Sequence, residues 1–456
     1  MVRMDKRTAI FEEMPARRAV LTQILPAIAS QMITLAYNLA DTYFVGMLNE
    51  PVQTAAITVA YPPFIMLSII SSLFGIGGAS AIARALGRKE NEKATQISSL
   101  AFWGGLICGI LFSVLIIIFA NPLLTVCGAK ADTYPVIFGY VKWAVIIGGP
   151  CTILNMALSH LVRSDGSALH ASLGVSLGCV LNIILDPIFV LPQFLGLKAA
   201  GAAMATAISN AVAALYLFGY IILNKNSILS VRLRHLKHAG KHIGEVLSIG
   251  LPSSLQHALT VVAVAAQAKF VSAYPTEAVA ALGIVKKLDQ LPLFFSVGVS
   301  TGLLPLLAYN HSSGNFERRR QCFRFGALIS LSFSILCVAL YESLAPRLVG
   351  LFIDDKNTVS YGATFLRLMV TAMPMMSLCH PLITQFQAMG RPKESLICSL
   401  LRKGMLDIPL LFIMDAVLPL YGCMLVQPIV DFISLIVAGT LYFKVCASKN
   451  ESSLSL

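Results

Sequence analysis

Residues 24–58 read ILPAIASQMITLAYNLADTYFVGMLNEPVQTAAIT, and residues 250–283 read GLPSSLQHALTVVAVAAQAKFVSAYPTEAVAALG. Each stretch opens near a Leu-Pro pair, continues as a long apolar run, and reaches a short polar turn before the next apolar run. About 20 apolar residues are enough to cross the hydrocarbon layer of a membrane as a helix. Two such stretches in one chain predict a duplicated helical membrane protein.

The correspondence between the two stretches continues along the chain with little drift. The aligned pairs are Pro26 with Pro252, Ala83 with Ala308, Glu92 with Glu317, Gly166 with Gly390, and Gly201 with Gly422. We therefore predict an N-lobe (1–224) and a C-lobe (244–456) of six spans each, joined by a cytoplasmic linker (225–243). Because six is even, both lobes start from the same side, and a pseudo-twofold axis along the membrane normal relates them.

The composition excludes a soluble particle. Of the 456 residues, 57% are hydrophobic and 12% are charged, against about a quarter charged in soluble domains. The apolar runs do not alternate as barrel strands must, so the predicted fold class is an all-α polytopic membrane protein with twelve transmembrane helices. The predicted spans are 17–46, 54–86, 95–121, 134–160, 167–192, 198–224, 244–273, 278–310, 320–344, 359–387, 394–416 and 420–446.

The net charge of +12 follows the membrane topology. Lysines and arginines concentrate in every second loop and near both chain ends. The intervening loops contain only Lys130, Lys198, Arg347 and Lys356. This positive-inside pattern predicts a multi-pass protein of the cytoplasmic membrane with both termini in the cytoplasm. We therefore expect the basic loops to interact with the lipid bilayer, and we expect no binding to nucleic acid.

Motifs of enzymes and of metal or nucleotide sites are absent from the sequence. The ten cysteines are scattered and form no Cys-x-x-Cys pair, and no Gly-rich loop ends in Lys-Ser or Lys-Thr. His235, His238 and His242 lie in the basic linker, where an amphipathic helix on anionic lipid is a better interpretation than a metal site. We therefore expect no cofactor and no enzymatic activity.

Ionisable residues inside the spans are rare and suggest function, because burying charge in a membrane is costly. Asp41 lies in the first span, Asn182 and Asp186 lie one turn apart in the fifth, and Thr206 lies in the sixth. At 1.5 Å per residue, Asp41, Asp186 and Thr206 all lie roughly 10–13 Å below the outer boundary. Their oxygens suit H⁺ or Na⁺, while the alternative is that the acids only cap or brace helices. We expect no other metal at these residues.

The second half has a different set of intramembrane charges. Lys286 and Asp289 are one helical turn apart in the eighth span, either as a local ion pair or as a counter-charge in a substrate cleft. Asp407 lies close to Arg402 in sequence and is expected to pair with it or with its neighbour Lys403. Three further basic residues fall within spans without an assigned role: Lys142, Lys269 and Arg367.

Several motifs resemble one family of transporters. They are LPAIASQMITLAYNLADTYFVG (25–46), GIGGASAIARALGRKENEKA (75–94), RSDGS (163–167), NIILDPIFV (182–190), GLKAAGAAMATAISN (196–210), GLPSSLQ (250–256) and GLLPLLAYNHSSGNFERRR (302–320). Together they span most of the chain and resemble the multidrug and toxic compound extrusion (MATE) family. The resemblance implies a V-shaped pair of lobes that export amphipathic, often cationic small molecules in exchange for H⁺ or Na⁺, by alternating access.

The resemblance also assigns roles to residues. Family members with a cation site in the N-lobe use positions that match Asp41, Asn182, Asp186 and Thr206 here. Another branch relies on acids in spans 7 and 10, where this chain has histidine and glutamine, which favours the N-lobe site. The polar residues expected along the substrate path are Gln31, Tyr37, Asn38, Asn210, His257, Gln267, Lys286 and Asp289.

One alternative function uses a related bundle. A flippase for lipid-linked precursors would need a large cationic cavity for a pyrophosphate group. The available intramembrane cations are Lys269, Lys286, Lys287 and Arg367, which are not clustered in sequence. A membrane-embedded enzyme would need a nucleophile with its base, and the loops contain none. We expect the transporter to act as a monomer.

Overall fold

The computed structural model describes residues 9–48 and 50–448, and its described elements are helices. The predicted cytoplasmic chain ends, with Arg3, Lys6, Arg7 and Lys449, lie outside these ranges. The single-segment spans are α1 (Ala16–Gly46), α2 (Pro51–Gly87), α3 (Asn91–Val126), α5 (Ala168–Val190), α6 (Lys198–Leu223), α7 (Ile243–Val271), α8 (Thr276–Ser312), α9 (Phe316–Gly350) and α12 (Gly422–Ser448). The composite spans are α4 (Tyr134–Val141, Lys142–Ile147 and Gly149–Ser164), α10 (Lys356–Val370 and Met373–Ala388) and α11 (Pro392–Leu400, Leu401–Met405 and Asp407–Val417).

Three of the twelve predicted spans are divided into separate helical segments. In the described part of the chain, nine helices are long and apolar enough to cross a membrane unbroken. The α4 span bends by 46° and α10 by 44°. The α11 span is interrupted at Lys403 and Gly404, whose backbone angles are not helical. The all-helical, two-lobed prediction is therefore confirmed, and the three irregular spans are features that hydropathy does not report.

Several helices extend beyond their predicted ends because local caps, and not the membrane boundary, set where they start. Asn315 precedes α9, and its side chain accepts a hydrogen bond from the Arg318 N–H at 3.1 Å. Asp355 caps α10 in the same way, accepting from the Thr358 N–H at 2.7 Å. The Thr358 hydroxyl donates to the same carboxylate at 2.6 Å. The hydrogen bonds from the hydroxyl and the N–H of Thr358 hold the pKa of the Asp355 carboxyl below its usual range.

The two lobes are joined at one end and separate at the other. We call the basic end the one where the lysine- and arginine-rich loops lie. There, buried apolar side chains from both lobes form one shared core, which includes Ile24 and Leu86 of the N-lobe and Val246 and Leu307 of the C-lobe. Toward the opposite end, the N-lobe and the C-lobe each have a core of their own. The cleft between the lobes therefore opens away from the basic end.

Polar contacts reinforce the closed basic end. Glu245 at the start of α7 accepts from Lys93 at 2.7 Å and from Arg84 at 3.2 Å, and Arg88 lies 3.6 Å away. All three basic residues belong to the N-lobe, so Glu245 ties the lobes together. Deeper in the membrane, the Ser254 hydroxyl donates to the Ile69 carbonyl at 2.8 Å.

Close packing of α2 against α7 depends on Gly250. A Cβ atom at this position would lie 2.0 Å from the Leu73 carbonyl oxygen, closer than any van der Waals contact allows. A larger residue would therefore force the two backbones apart. Gly283 of α8 offers a matched comparison, since a Cβ atom there meets nothing within 4 Å.

We expect Gly250→Ala to open the basic end and Gly283→Ala to leave it closed. The measurement is the distance between spin labels at Asn91 and Gly244, in a variant without the ten native cysteines. Gly250→Ala should lengthen the distance or broaden its distribution. The new Cβ atom would clash with the Leu73 backbone, which cannot move aside by a rotamer change as a side chain can. Equal distances in both variants would show that the lobes are not held by this contact.

Candidate functional site

A polar site lies inside the N-lobe, where α5 packs against α6 and α1. Gly178 permits the close approach of α5, because a Cβ atom there would lie 3.0 Å from the Ser209 carbonyl oxygen of α6. This packing buries the polar face of α5: Asp186 is 0% exposed and Asn182 is 2% exposed. Thr206 of α6 faces them and is 3% exposed. The structure therefore brings together residues that the sequence placed at one depth on separate spans.

Hydrogen bonds connect three of these residues directly. The Asn182 amide is assigned so that its nitrogen donates to Asp186 Oδ2 at 2.9 Å and its oxygen accepts from the Thr206 N–H at 3.1 Å. Asn210, one turn along α6, donates to the Thr206 carbonyl at 3.0 Å. Asn155 of α4 in turn donates to Asn210 Oδ1 at 2.8 Å. The network fixes the α5–α6 pair and orients the Asp186 carboxylate.

Asp41 completes the site from α1. It is partly buried, and it lies close enough to Asp186 for the two carboxylates to interact electrostatically. The Tyr37 hydroxyl lies near both acids and contacts the Thr206 side chain, and the Tyr140 hydroxyl of α4 lies near both acids as well. In the described structure, Oδ1 of each aspartate is buried without a hydrogen-bond partner.

Two unpartnered carboxylate oxygens in one buried site are an uncommon arrangement, because an unsatisfied buried polar atom costs about 1–3 kcal/mol. A bound proton or a small cation would satisfy both acids. Among the described residues, no group of three or more His, Cys, Asp or Glu side chains is placed to hold a metal ion. The site can therefore offer a cation two carboxylates with neutral oxygens around them, and it has no thiolate or imidazole cluster.

The remaining residues predicted for a substrate path do not form one group. Gln31 and Asn38 are partly exposed on α1. Gln267 is 7% exposed and donates to the Cys423 carbonyl at 2.8 Å, so it ties α7 to α12. His257 lies near His160 of α4, across the boundary between the lobes.

A second polar site lies inside the C-lobe, around the break in α11. Arg402 Nε donates to Asp431 Oδ1 of α12 at 2.9 Å, and Arg402 Nη1 lies 2.9 Å from His380 Nε2 of α10. The expected partner Asp407 instead accepts from the Gly404 N–H at 3.0 Å. Asp407 therefore does not pair with Arg402 as predicted, whereas Lys403, the other predicted partner, is its electrostatic neighbour.

The other charges of the C-lobe divide between this site and the surface. Lys286 and Asp289 of α8 are electrostatic neighbours within the C-lobe site, although no direct ion pair joins them in the described structure. Lys142 and Lys269 are exposed. The exposed Arg367 lies 3.8 Å from Glu342 of α9. Of the four cations considered for a flippase, Lys286 belongs to this site, whereas Lys269, Lys287 and Arg367 are exposed.

Sequence reasoning missed Asn155 and Tyr140, which reach the N-lobe site from α4. Nothing in the sequence distinguished these two residues, because polar residues occur throughout that span. At the start of α6, Lys198 donates to Glu50 Oε1 at 2.7 Å and links the α1–α2 loop to α6. This hydrogen bond holds the pKa of the exposed Glu50 carboxyl below its usual range.

Two duplicated six-helix lobes, one of them with a buried polar site, are the architecture of a membrane transporter. The profile of the MatE family matches residues 26–188 and 252–413, the corresponding region of each lobe. The chain belongs to the MATE family of transporters. The resemblance inferred from its motifs is confirmed, and so is the expectation that it is a transporter and not an enzyme.

Known relatives agree with this assignment. The chain is 28% identical over 418 residues to the multidrug export protein MepA of Staphylococcus aureus (strain MSSA476), covering 92% of this chain and 91% of that protein. The MepA protein of Staphylococcus saprophyticus shows the same identity and coverage. The fold matches an outward-facing multidrug resistance MATE transporter with a TM-score of 0.91 at 22% identity, covering 98% and 99% of the two chains. It also matches a MOP-superfamily transporter of Pyrococcus furiosus, described as having a binding pocket of reverse polarity, with a TM-score of 0.90 at 22% identity and the same coverage.

Proposed function

We propose that the protein is a cation-coupled antiporter that exports amphipathic, often cationic compounds across the cytoplasmic membrane. The observation that carries the proposal is the pair of unpartnered carboxylate oxygens on Asp41 and Asp186, inside a transporter lobe. The multidrug export proteins to which the chain is similar support the substrate class. The coupling ion is H⁺ or Na⁺, since two carboxylates with an amide and a hydroxyl serve either.

The mechanism needs each ligand to favour one of two lobe arrangements. The basic end faces the cytoplasm, so the closed contacts of Glu245 belong to an outward-facing state. In that state a cation enters the N-lobe, neutralises Asp41 and Asp186, and repacks α1 against α5 and α6. Repacking favours release of the compound outside, and the loaded protein returns inward to exchange the cation for a new substrate. Coupling follows because cation and substrate differ in affinity between the states.

The test is ethidium efflux from right-side-out membrane vesicles. We expect wild-type protein to accelerate efflux under one inward ion gradient, either ΔpH alone or Na⁺ alone, and to be inactive when both are collapsed. An ionophore that dissipates the gradient should stop efflux within the same experiment. Efflux independent of both gradients, with the protein confirmed in the membrane, would refute antiport.

A further inference from the structure

The C-lobe site occupies the position equivalent to the N-lobe cation site. Gly201 at the start of α6 aligns with Gly422 at the start of α12. The same alignment places Gln427 opposite Thr206 and Asp431 opposite Asn210. Duplication has therefore given each lobe a polar site at the same point of the fold, built from its fifth and sixth spans.

The two sites differ in the charges that they contain. In the N-lobe, no basic side chain among the described residues forms a hydrogen bond or an ion pair with Asp41 or Asp186. The C-lobe site gathers three basic side chains, Lys286, Arg402 and Lys403, together with the acids Asp289, Asp407 and Asp431. Charges at this depth are costly and mark functional sites by default.

Three of these charges are buried within the protein, and Oδ2 of one of them, Asp431, has no hydrogen-bond partner among the described residues. Arg402 and Asp431 form a direct ion pair and are 3% and 0% exposed, so neither can meet a ligand. Asp407 is 4% exposed, and it caps the break in α11 by accepting from Gly404. What remains accessible is one acid, Asp289, and two lysines.

The two lysines keep donors available. Lys403 is partly exposed and donates to Gln427 Oε1 at 2.5 Å, which uses one of its three N–H groups. Lys286 is partly exposed, and its ammonium has no hydrogen-bond or ion-pair partner within the described ranges 9–48 and 50–448. Lys403 also lies at the break in α11, and interrupted helices at membrane depth are where transporters bind their ligands.

We propose that Lys286 and Lys403 bind the anionic group of the transported compound, a carboxylate or sulfonate on an amphipathic molecule. This inference rests on the proposed export function and assigns residues of the C-lobe to the anionic group of the substrate. A lysine ammonium is a compact point charge without fixed hydrogen-bond directions. The site should therefore select a substrate by the charge of its anionic group more than by that group's shape.

The test compares two dyes that differ at one group. Rhodamine 110 has a free carboxylate, and rhodamine 123 is its methyl ester, which keeps the ring system and the positive charge. Fluorescence anisotropy measures the Kd of each dye for the full-length protein in phosphatidylcholine nanodiscs. We expect the wild type to bind rhodamine 110 at least about tenfold more tightly than rhodamine 123, one charge-assisted contact being worth about that factor.

Lys286→Gln should raise the Kd of rhodamine 110 about tenfold and change that of rhodamine 123 less than about twofold. Lys286 forms no hydrogen bond or ion pair in the described part of the chain, so this variant should fold, and Lys403→Gln should act in the same direction. Lys269→Gln, on the exposed face of α7, is the matched control and should change neither Kd. Equal losses for both dyes, no loss for either, or failure of the wild type to bind rhodamine 110 would overturn the proposal.

A lipid headgroup could supply the same anionic chemistry. Nanodiscs containing phosphatidylglycerol separate the two sources: an unchanged preference for rhodamine 110 supports an exported compound, and loss of the preference would assign the lysines to lipid. Dye binding at equilibrium needs no ion gradient. The outcome is therefore independent of the ethidium experiment, and either proposal can fail while the other stands.

Discussion

Asp41→Asn is expected to reduce gradient-driven efflux to the level of vesicles without the protein, and Asp186→Asn is expected to do the same. Asparagine keeps the size of each side chain but cannot bind a proton at the carboxylate, and it offers a cation no charge. Losing one charged ligand costs about 1.5–3 kcal/mol, or roughly 10- to 150-fold in ion affinity. Because coupling requires the bound cation, the loss in coupled transport should be at least as large. Ethidium efflux under ΔpH alone and then under Na⁺ alone is the measurement.

The matched control is Asp354→Asn, which makes the same chemical change on the exposed segment before α10. It should leave efflux unchanged at equal membrane expression. Asn182→Asp, which would add a third acid beside Asp186, should alter the ion dependence without removing transport. If efflux in Asp41→Asn follows either gradient as it does in the wild type, the N-lobe site is not where the ion couples.

The depth of the N-lobe site could be predicted from the sequence because the rise per residue of a helix is nearly constant. Counting inward from the span ends placed Asp41, Asp186 and Thr206 at one level, and the structure brings these residues together. Helical spacing added Asn182, which lies one turn before Asp186. Hydropathy does not show which face of each helix points toward the site, because tertiary packing determines that orientation. Asn155 shows this, since α4 contains a π-helical turn at Lys142–Ile147 and then bends, which changes the direction of every later side chain.

The C-lobe site was harder to predict because its partners are far apart in sequence. Local spacing favoured Arg402 or Lys403 as the partner of Asp407. Gly404 has a φ of 130°, a conformation that ends regular helix geometry, so the helix is interrupted between Arg402 and Asp407, and Arg402 donates to Asp431 of the next span. A glycine inside an apolar run was visible in the sequence, but its backbone conformation was not. The pairing of Arg402 therefore follows from the fold and not from the motif.

The Arg402–Asp431 pair predicts a large effect on stability. Asp431→Leu leaves the buried Arg402 guanidinium without its counter-charge, and breaking a buried ion pair in this way costs about 3–5 kcal/mol. We expect that loss in the free energy of unfolding, measured by titration with sodium dodecyl sulfate in mixed micelles. Arg367→Met is the matched control, because its pair with Glu342 is exposed at both ends and should contribute less than about 1 kcal/mol.

The double variant Arg402→Met with Asp431→Leu decides what the pair does. Replacing both charges by apolar side chains removes the desolvation cost together with the attraction, so it should restore at least half of the stability lost in Asp431→Leu. Recovery of stability without recovery of efflux would mean that the charges are retained for transport and not for folding. A double variant as unstable as Asp431→Leu alone would contradict this account, because the loss would then come from packing at Asp431 and not from an unpaired charge.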